Sequence, residues 1–196
     1  GMGEVPVRHG RPAGLNTDLG LHHQLVKSLM SVPKPVVAAI NGRCHGAGWV
    51  TALACDFRVA RADALIGDIH SSKAIFAGQS VPLVLPRLIG QSRAMDLLIT
   101  GRVIDAGEAE RYGIVVRVWP VETYQQDLAA FVDELAHGPT KTYAAWKLTV
   151  NRSVLLELDA YTDYERRLGA LVSQSQDVKE GVQAFREKRP PNFTGG

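Results

Sequence analysis

The feature that most constrains this chain is a strand–turn–helix segment built around a run of small residues. Val36–Ile40 is apolar throughout, which predicts a short buried strand, and Asn41-Gly42 predicts a turn directly after it. The small residues 46–48, Gly-Ala-Gly, then precede the apolar stretch Trp49–Cys55, which suits a buried helix. The pattern therefore predicts that the start of a buried helix lies beside a loop without bulky side chains.

This helix start has two interpretations. Backbone N–H groups in the first turn of a helix have no acceptor within the helix, and the aligned peptide dipoles favour negative charge there. Small side chains would let a ligand oxygen approach these donors, as in an oxyanion hole. The alternative is a glycine-rich turn that only packs the helix against the strand.

Other sites with similar motifs are not supported. After Gly48 the sequence lacks the third glycine of the dinucleotide fingerprint GxGxxG. The Gly-Lys-Ser/Thr of a P-loop is also missing, as is the GxSxG nucleophile elbow of serine hydrolases.

The organisation of the chain changes at Pro120. Before it, residues 1–18 predict a loop or flexible lead-in, and strands and helices then alternate: helices Leu19–Met30, Val81–Ile89, Ser92–Thr100 and Ala106–Tyr112, with strands Phe57–Ala60, Ala64–Gly67 and Val115–Val118. After it only helices are predicted, over Glu122–His137, Thr140–Leu156, Asp159–Ser175 and Asp177–Arg189. We therefore predict an α/β core over residues 1–120 and a helical region over 121–196.

Composition and charge exclude several classes of partner. A formal net charge of +2 without a Lys/Arg-rich run argues against nucleic-acid binding. The longest apolar runs are too short to span a bilayer and no secretory signal is evident, so we expect no membrane partner and a cytoplasmic location. Cys44 and Cys55 lack CxxC spacing, and His22-His23 has no partner at metal-site spacing, so neither a disulfide scaffold nor a metal site is expected.

Several ordered motifs resemble the crotonase (enoyl-CoA hydratase/isomerase) superfamily. They are Lys34–Gly42, Gly46–Gly48, Leu53–Asp56, Arg93–Gly101, Ala106–Glu110, Gly113–Val115 and Lys179–Phe193. The resemblance covers about Leu21 to Phe193. It implies a ββα spiral core, a helical trimerisation region and homotrimers or hexamers. It also implies acyl-CoA thioester substrates, with coenzyme A as part of the substrate and no separate cofactor.

The resemblance also implies roles for residues of the site. Ala47 would donate its N–H to the thioester carbonyl, flanked by Gly46 and Gly48 as substrate-binding residues. Lys188 could bind a phosphate of coenzyme A, although the simpler interpretation is a charged side chain on a helix face that is exposed to solvent. The family's second oxyanion donor lies in a preceding N-terminal portion, which we expect to be missing from this sequence.

The acid/base positions depart from the family. A hydratase uses two glutamates, and these positions fall at Val50 and His70, so hydration by two glutamates is not expected. Val50 would line the substrate site instead. His70 is then a candidate lone general acid or base, and Asp68 would share its face in an extended segment and orient it, unless the two form a simple surface hydrogen bond. His45 is a weaker candidate, and Cys44 is interpreted as a core residue.

The function predicted is therefore an enzyme that stabilises an acyl-CoA enolate. Isomerase-type chemistry, hydrolysis and decarboxylation all stay open, as does the acyl group. The alternative is a catalytically inactive acyl-CoA-binding or scaffold member of the same fold. A protease relative with a similar spiral core is disfavoured by the missing nucleophile elbow.

Overall fold

The computed structural model describes residues 19–76 and 78–195. Its elements in chain order are α1 (Leu19–Ser31), β1 (Val37–Ile40), β2 (Arg43–Cys44), α2 (Ala47–Ala54), β3 (Phe57–Arg61), β4 (Leu65–Ile66), a 3₁₀ turn (Ser71–Lys73), α3 (Val81–Ile89), α4 (Gln91–Thr100), β5 (Ile104–Asp105), α5 (Ala106–Tyr112), β6 (Arg117–Trp119), α6 (Tyr124–Ala136), α7 (Thr140–Val172) and α8 (Gln176–Glu187). Residues 1–18, for which the sequence predicts a loop, lie outside the described residues.

The strands form two small sheets, each of three strands. One sheet has the order β1-β3-β6 and is parallel, with Val37 opposite Phe57 and Val59 opposite Arg117. The other has the order β2-β4-β5, in which β2 and β4 are parallel and β5 is antiparallel to β4. β1 and β3 belong to the first sheet, whereas β2 and β4, which follow them in the chain, belong to the second. The chain therefore alternates between the two sheets and winds as a spiral. The predicted α/β class with a ββα spiral core is confirmed.

The hydrophobic core lies where α2 is enclosed by its neighbours. Trp49 and Val50 of α2 are fully buried, and they belong to one cluster with Val26 of α1, Leu85 of α3 and Leu158 of α7. An apolar helix without a polar face is stable only when it is covered on all sides, which explains the burial of α2. The core thus fixes the helix whose N-terminus the sequence singles out.

Helix α7 contradicts the prediction of two helices over Thr140–Leu156 and Asp159–Ser175. It runs unbroken for 33 residues. No proline or glycine separates the two predicted segments, so nothing in the backbone interrupts the helix. Polar contacts fix α7 antiparallel to α1: the side-chain amide of Asn151 donates to the carbonyl of Met30, and Lys27 pairs with Asp159.

A buried ion pair joins the start of α7 to the sheet. The Nζ of Lys147 lies 2.7 Å from Oδ2 of Asp56 and 3.1 Å from the carbonyl oxygen of Lys34, and the same Asp56 oxygen accepts the N–H of Val36. Since Asp56 follows α2 directly, this contact places the first part of α7 at the C-terminal end of α2.

The remaining predictions differ from the structure at their edges. The two-residue strands β2 and β5 were not predicted, because two residues carry no periodicity. The strand predicted over Val115–Val118 is found at Arg117–Trp119. Within the described ranges no helix is long and apolar enough to cross a membrane. The division at residue 120 stays a prediction, although every strand among the described residues precedes it.

Candidate active site

The predicted oxyanion peptide lies at the N-terminus of α2. Ala47 is the first residue of the helix, and both Ala47 and Gly48 are exposed. Gly46 precedes the helix with φ of 56° and ψ of −128°, a conformation that side chains other than glycine avoid. Val50 is the first residue of α2 whose N–H meets a helical carbonyl, that of Gly46, at 3.1 Å. The N–H groups before it are free of intrahelical bonds and can face an anionic oxygen.

His70 and Asp68 form a hydrogen-bonded pair. One carboxylate oxygen of Asp68 lies 2.7 Å from Nδ1 of His70 and also accepts the backbone N–H of His70, at 3.0 Å. The contact comes from a turn, since His70 has helical φ and ψ of −69° and −39°, and not from the extended segment that was considered for the two residues. The side chain of Asp68 is 9% exposed and that of His70 is 21% exposed, so the carboxylate is sheltered while the imidazole can be reached.

The electrostatics of the pair favour an ionised Asp68. Burial acts to raise the pKa of Asp68, but the hydrogen bonds from the His70 ring and backbone, together with the ring's charge, outweigh it. The net result is a pKa of Asp68 below its usual range. A carboxylate that accepts from Nδ1 keeps the proton on that nitrogen and leaves Nε2 as the basic atom.

The structure brings His70 to the oxyanion peptide. Nε2 of His70 lies 4.0 Å from the position that a Cβ atom would take on Gly46. The parallel pairing of β2 with β4 explains this proximity. Cys44 is opposite Ile66, so the two strands end side by side and the residues that follow them start at the same edge of the sheet. Nε2 of His70 therefore lies close to the residue that precedes the free N–H groups of α2.

The two weaker candidates have less suitable surroundings. Burial lowers the pKa of His45, and the charges of Arg43 and Lys73 lower it further, so His45 is neutral near pH 7. Burial, with a contribution from Cys55, raises the pKa of the Cys44 thiol to about 11. Cys44 is therefore a protonated thiol near neutral pH, which agrees with its interpretation as a core residue.

The other predicted substrate-binding residues lie apart from this pair. Val50 is 2% exposed and belongs to the hydrophobic core. Lys188 is exposed and ends α8 in the left-handed conformation. A cavity of about 260 Å³ between α8 and the 3₁₀ turn is lined by Arg189 rather than Lys188, and Arg189 is paired with Glu180. Direct contacts of Val50 and Lys188 with a substrate stay predictions.

A larger cavity lies at the other end of α2. It has a volume of about 500 Å³ and is lined mainly by apolar groups, including Leu53, Trp146 and Val150. None of the predicted site residues is among the side chains that line it in the described part of the chain. Within residues 19–76 and 78–195, no three His, Cys, Asp or Glu side chains form a group that could hold a metal ion.

Comparison with known proteins decides the family. The sequence profile described as enoyl-CoA hydratase/isomerase matches residues 17–196. The chain belongs to the enoyl-CoA hydratase/isomerase family. It is 35% identical to a probable enoyl-CoA hydratase of Rhodobacter capsulatus over 189 residues, which are 95% of this chain and 74% of that protein. It is 34% identical to the 1,2-epoxyphenylacetyl-CoA isomerase of Escherichia coli K12 over 193 residues, with 96% and 74% covered.

Solved structures of the hydratase/isomerase family agree with the fold described above. An enoyl-CoA hydratase from Mycobacterium avium subsp. paratuberculosis superimposes with a TM-score of 0.86 at 29% sequence identity, covering 93% of this chain and 75% of that one. The protein is thus an enzyme of the hydratase/isomerase family, as the motifs predict. The predicted roles of Ala47, Gly46, Gly48, His70 and Asp68 stay predictions that the geometry makes testable.

Sequence reasoning missed a second polar cluster, which joins α1, α3 and α7. It consists of His23 from α1, Ser80 from the start of α3 and Glu165 from α7, all buried. The segment Gly78-Gln79-Ser80-Val81-Pro82 carries the signal of a special turn, since proline suits the first turn of a helix and glycine suits a turn before it. No sequence pattern links this turn to a glutamate 85 residues away.

Proposed function

We propose that this protein binds an acyl-CoA thioester and stabilises its enolate, with His70 as the single proton-transfer group. The N–H of Ala47 would donate a hydrogen bond to the thioester oxygen. The observation that supports this most directly is the position of Nε2 of His70, 4.0 Å from a Cβ site on Gly46, while Nδ1 is bonded to Asp68. The names of the relatives, a hydratase and an isomerase of CoA esters, support the substrate class.

In the proposed step, Nε2 of His70 takes a proton from the carbon next to the thioester carbonyl. The electrons of the broken C–H bond form the enolate double bond, and the negative charge moves to the carbonyl oxygen. Hydrogen bonds from the start of α2 stabilise that charge, and Asp68 stabilises the protonated imidazole that results. The proton then returns from His70 to the same carbon or to another carbon of the enolate.

A single base that shuttles one proton suits isomerase-type chemistry best. Two carboxylates that deliver water across a double bond are not available at this site, since Val50 is a core residue. Hydrolysis or decarboxylation through the same stabilised anion would need further groups. The alternative of an inactive acyl-CoA-binding or scaffold protein retains the helix N-terminus without proton transfer.

The test is calorimetric binding of acetoacetyl-CoA to the protein and to Ala47→Pro. Proline removes the N–H at position 47, and the first position of a helix is where proline is best tolerated. The matched control is Ala47→Ser, which keeps the N–H. We expect the Ala47→Pro variant to bind at least about tenfold more weakly, because one lost charge-assisted bond is worth about 1.5–3 kcal/mol.

The outcomes separate the candidates. Equal binding by both variants and the wild type would show that the start of α2 does not hold the thioester oxygen. Binding that depends on the Ala47 N–H, without any exchange of substrate protons, would favour the inactive alternative. Absence of binding by the folded wild-type chain would overturn the acyl-CoA proposal.

The oligomeric state is also a proposal. We propose that the chain forms a homotrimer or hexamer through its helical region, because α7 exposes several large apolar side chains. Trp146, Val150 and Leu156 are 67%, 71% and 64% exposed. Apolar groups of this size on one helix favour contact with another protein surface. Sedimentation velocity should give a mass of three or six chains, and a monomer at micromolar concentration would contradict the proposal.

A further inference from the structure

The buried cluster of His23, Ser80 and Glu165 links three elements that are distant in sequence. Nδ1 of His23 lies 2.7 Å from the Ser80 hydroxyl, and Nε2 of His23 lies 3.1 Å from a carboxylate oxygen of Glu165. The backbone N–H of Ser80 donates to the same carboxylate, at 3.0 Å. His23, Ser80 and Glu165 are 6%, 1% and 1% exposed. Buried polar groups in contact with one another constrain the geometry of the elements that carry them.

The order serine–histidine–glutamate also occurs in hydrolases, but this cluster does not suit nucleophilic attack. The Ser80 residue is almost fully buried, so a carbonyl carbon cannot approach its hydroxyl. Glu165 is also occupied by the Ser80 backbone, whereas the acid of a catalytic triad orients the histidine. The cluster is better explained as a support for the turn that contains Ser80.

That turn is strained. Gly78, Gln79 and Ser80 have φ values of 57°, 55° and 68°, all in the left-handed region. Gln79 and Ser80 are not glycines, so their conformation persists only where the surroundings hold it in place. The carboxylate of Glu165 supplies that hold, because it binds the N–H of Ser80 and lies directly against Gly78.

The strained turn ends the same connection that carries His70. This connection begins with the His70–Asp68 pair, continues through the 3₁₀ turn at Ser71–Lys73 and leads to Ser80 at the start of α3. The carbonyl of His70 accepts the N–H groups of Lys73 and Ile75, so residues 70–75 form one compact turn, and Ile75 is only three residues from Gly78. The contact of Glu165 in α7 with Ser80 therefore acts on the same segment of chain that carries the imidazole of His70.

We propose that Glu165 is a positioning residue, which holds the turn at residues 78–80 and thereby keeps His70 in its place beside the start of α2. The inference rests on the proposed role of His70 as the proton-transfer group. Glu165 does not touch the substrate in this scheme. Its effect is exerted through the backbone of Ser80.

The test combines a substrate-free measurement with a kinetic one. Histidine labelled with ¹³C at Cε1 gives separate NMR signals for the six histidines, and the signal of His70 is assigned from the His70→Ala spectrum. Glu165→Ala removes the acceptor of the Ser80 N–H. Glu165→Gln keeps an acceptor oxygen at the same place. The control is Glu157→Ala, which removes an exposed contact of α7 with Arg87 of α3.

We expect Glu165→Ala to move the His70 signal and to lower kcat for exchange of the α-proton of an acyl-CoA by between about 10- and 100-fold with KM unchanged, the range that misplacement of a catalytic group produces. Glu165→Gln should restore both to within about twofold of the wild type, since the bond to Ser80 is kept. Glu157→Ala should change neither. A role in stability alone would lower the melting temperature without moving the His70 signal at 25 °C.

An unchanged His70 signal in folded Glu165→Ala would overturn the inference, whether or not the protein turns over an acyl-CoA. If Glu165→Ala does not fold, Glu165→Asp takes its place, because it keeps the charge and withdraws the carboxylate by one methylene. The His70 signal and kcat of that variant then test the inference in the same way. A moved signal in a protein that never exchanges substrate protons would support the contact and overturn the proposed reaction, so the two failures are distinct.

Discussion

Replacement of Asp68 by asparagine tests the central pair of the site. Asparagine has the same shape, and its carbonyl oxygen can still accept from Nδ1 of His70, so the tautomer of the ring is preserved. What is lost is the negative charge beside an imidazole that becomes protonated in the proposed reaction. Because the Asp68 side chain is only 9% exposed, solvent does not screen this charge.

The size of the effect follows from the kind of hydrogen bond. A hydrogen bond to a charged group contributes about 1.5–3 kcal/mol and a neutral hydrogen bond about 0.5–1.5 kcal/mol. The substitution Asp68→Asn should therefore raise the free energy of the transition state by roughly 1–2 kcal/mol. Since about 1.4 kcal/mol is a factor of ten, kcat should fall by roughly 5- to 30-fold. Removal of the base itself in His70→Ala should cost about 10²–10⁴.

Exchange of the α-proton is the suitable assay, because it requires only enolate formation and one base. A saturated acyl-CoA such as butyryl-CoA is incubated with the enzyme in D₂O, and deuterium uptake is followed by mass spectrometry. The matched control is Asp63→Asn, an exposed aspartate that pairs with Arg61. Wild-type exchange by Asp68→Asn would show that the negative charge of Asp68, 2.7 Å from Nδ1 of His70, has no catalytic role. Exchange that survives in His70→Ala would remove His70 from the mechanism.

Three further predictions concern the surroundings of the site. Gly181→Ala should destabilise the fold by about 1–3 kcal/mol in urea denaturation, because the new Cβ would meet the carbonyl of Lys73; an unchanged midpoint would contradict this packing. The hydrogen bonds from Arg189 and Asn192 lower the pKa of Glu180 from 4.5 to about 2, so its stabilisation is complete above pH 4.5 and is lost as the pH falls toward 2. The stability difference between the wild type and Glu180→Gln should therefore shrink over that interval, and a constant difference would refute the ion pair. Cys44 should resist iodoacetamide at pH 7.5 in the folded protein, and rapid labelling would contradict its raised pKa.

Local signals explain how much of the fold could be predicted from the sequence. The bounds of α3 and α5 match the prediction because Gly90 and Gly113 stop both helices in conformations with positive φ. The sequence analysis divides α7 into two helices, whereas the backbone continues through Glu157 and Leu158 as one helix. The strands β2 and β5 are set by pairing with β4, which no local pattern reveals.

The site was predictable only in part, for a similar reason. The start of α2 follows from neighbouring residues, and the contact of Asp68 with His70 spans two positions, so both are local. The approach of His70 to Gly46 depends on strand pairing, and that of Glu165 to Ser80 on the packing of α7. Non-local contacts of this kind follow from the folded topology rather than from any short motif.

The topology also explains why the candidate site forms at one edge of the β2-β4-β5 sheet. β2 and β4 are parallel and two residues long, and each is followed within a few residues by one half of the site: Gly46 after Cys44, and Asp68 after Ile66. Ligand sites in α/β folds lie at the carboxyl ends of such strands. A shift of one residue in this register would move His70 by about 3.3 Å and turn its side chain to the other face. Two residue pairs are a weak support for such accuracy, so the surrounding helices must supply the rest. The contacts of α8 with Lys73 and of α7 with Ser80 have the right position to do so.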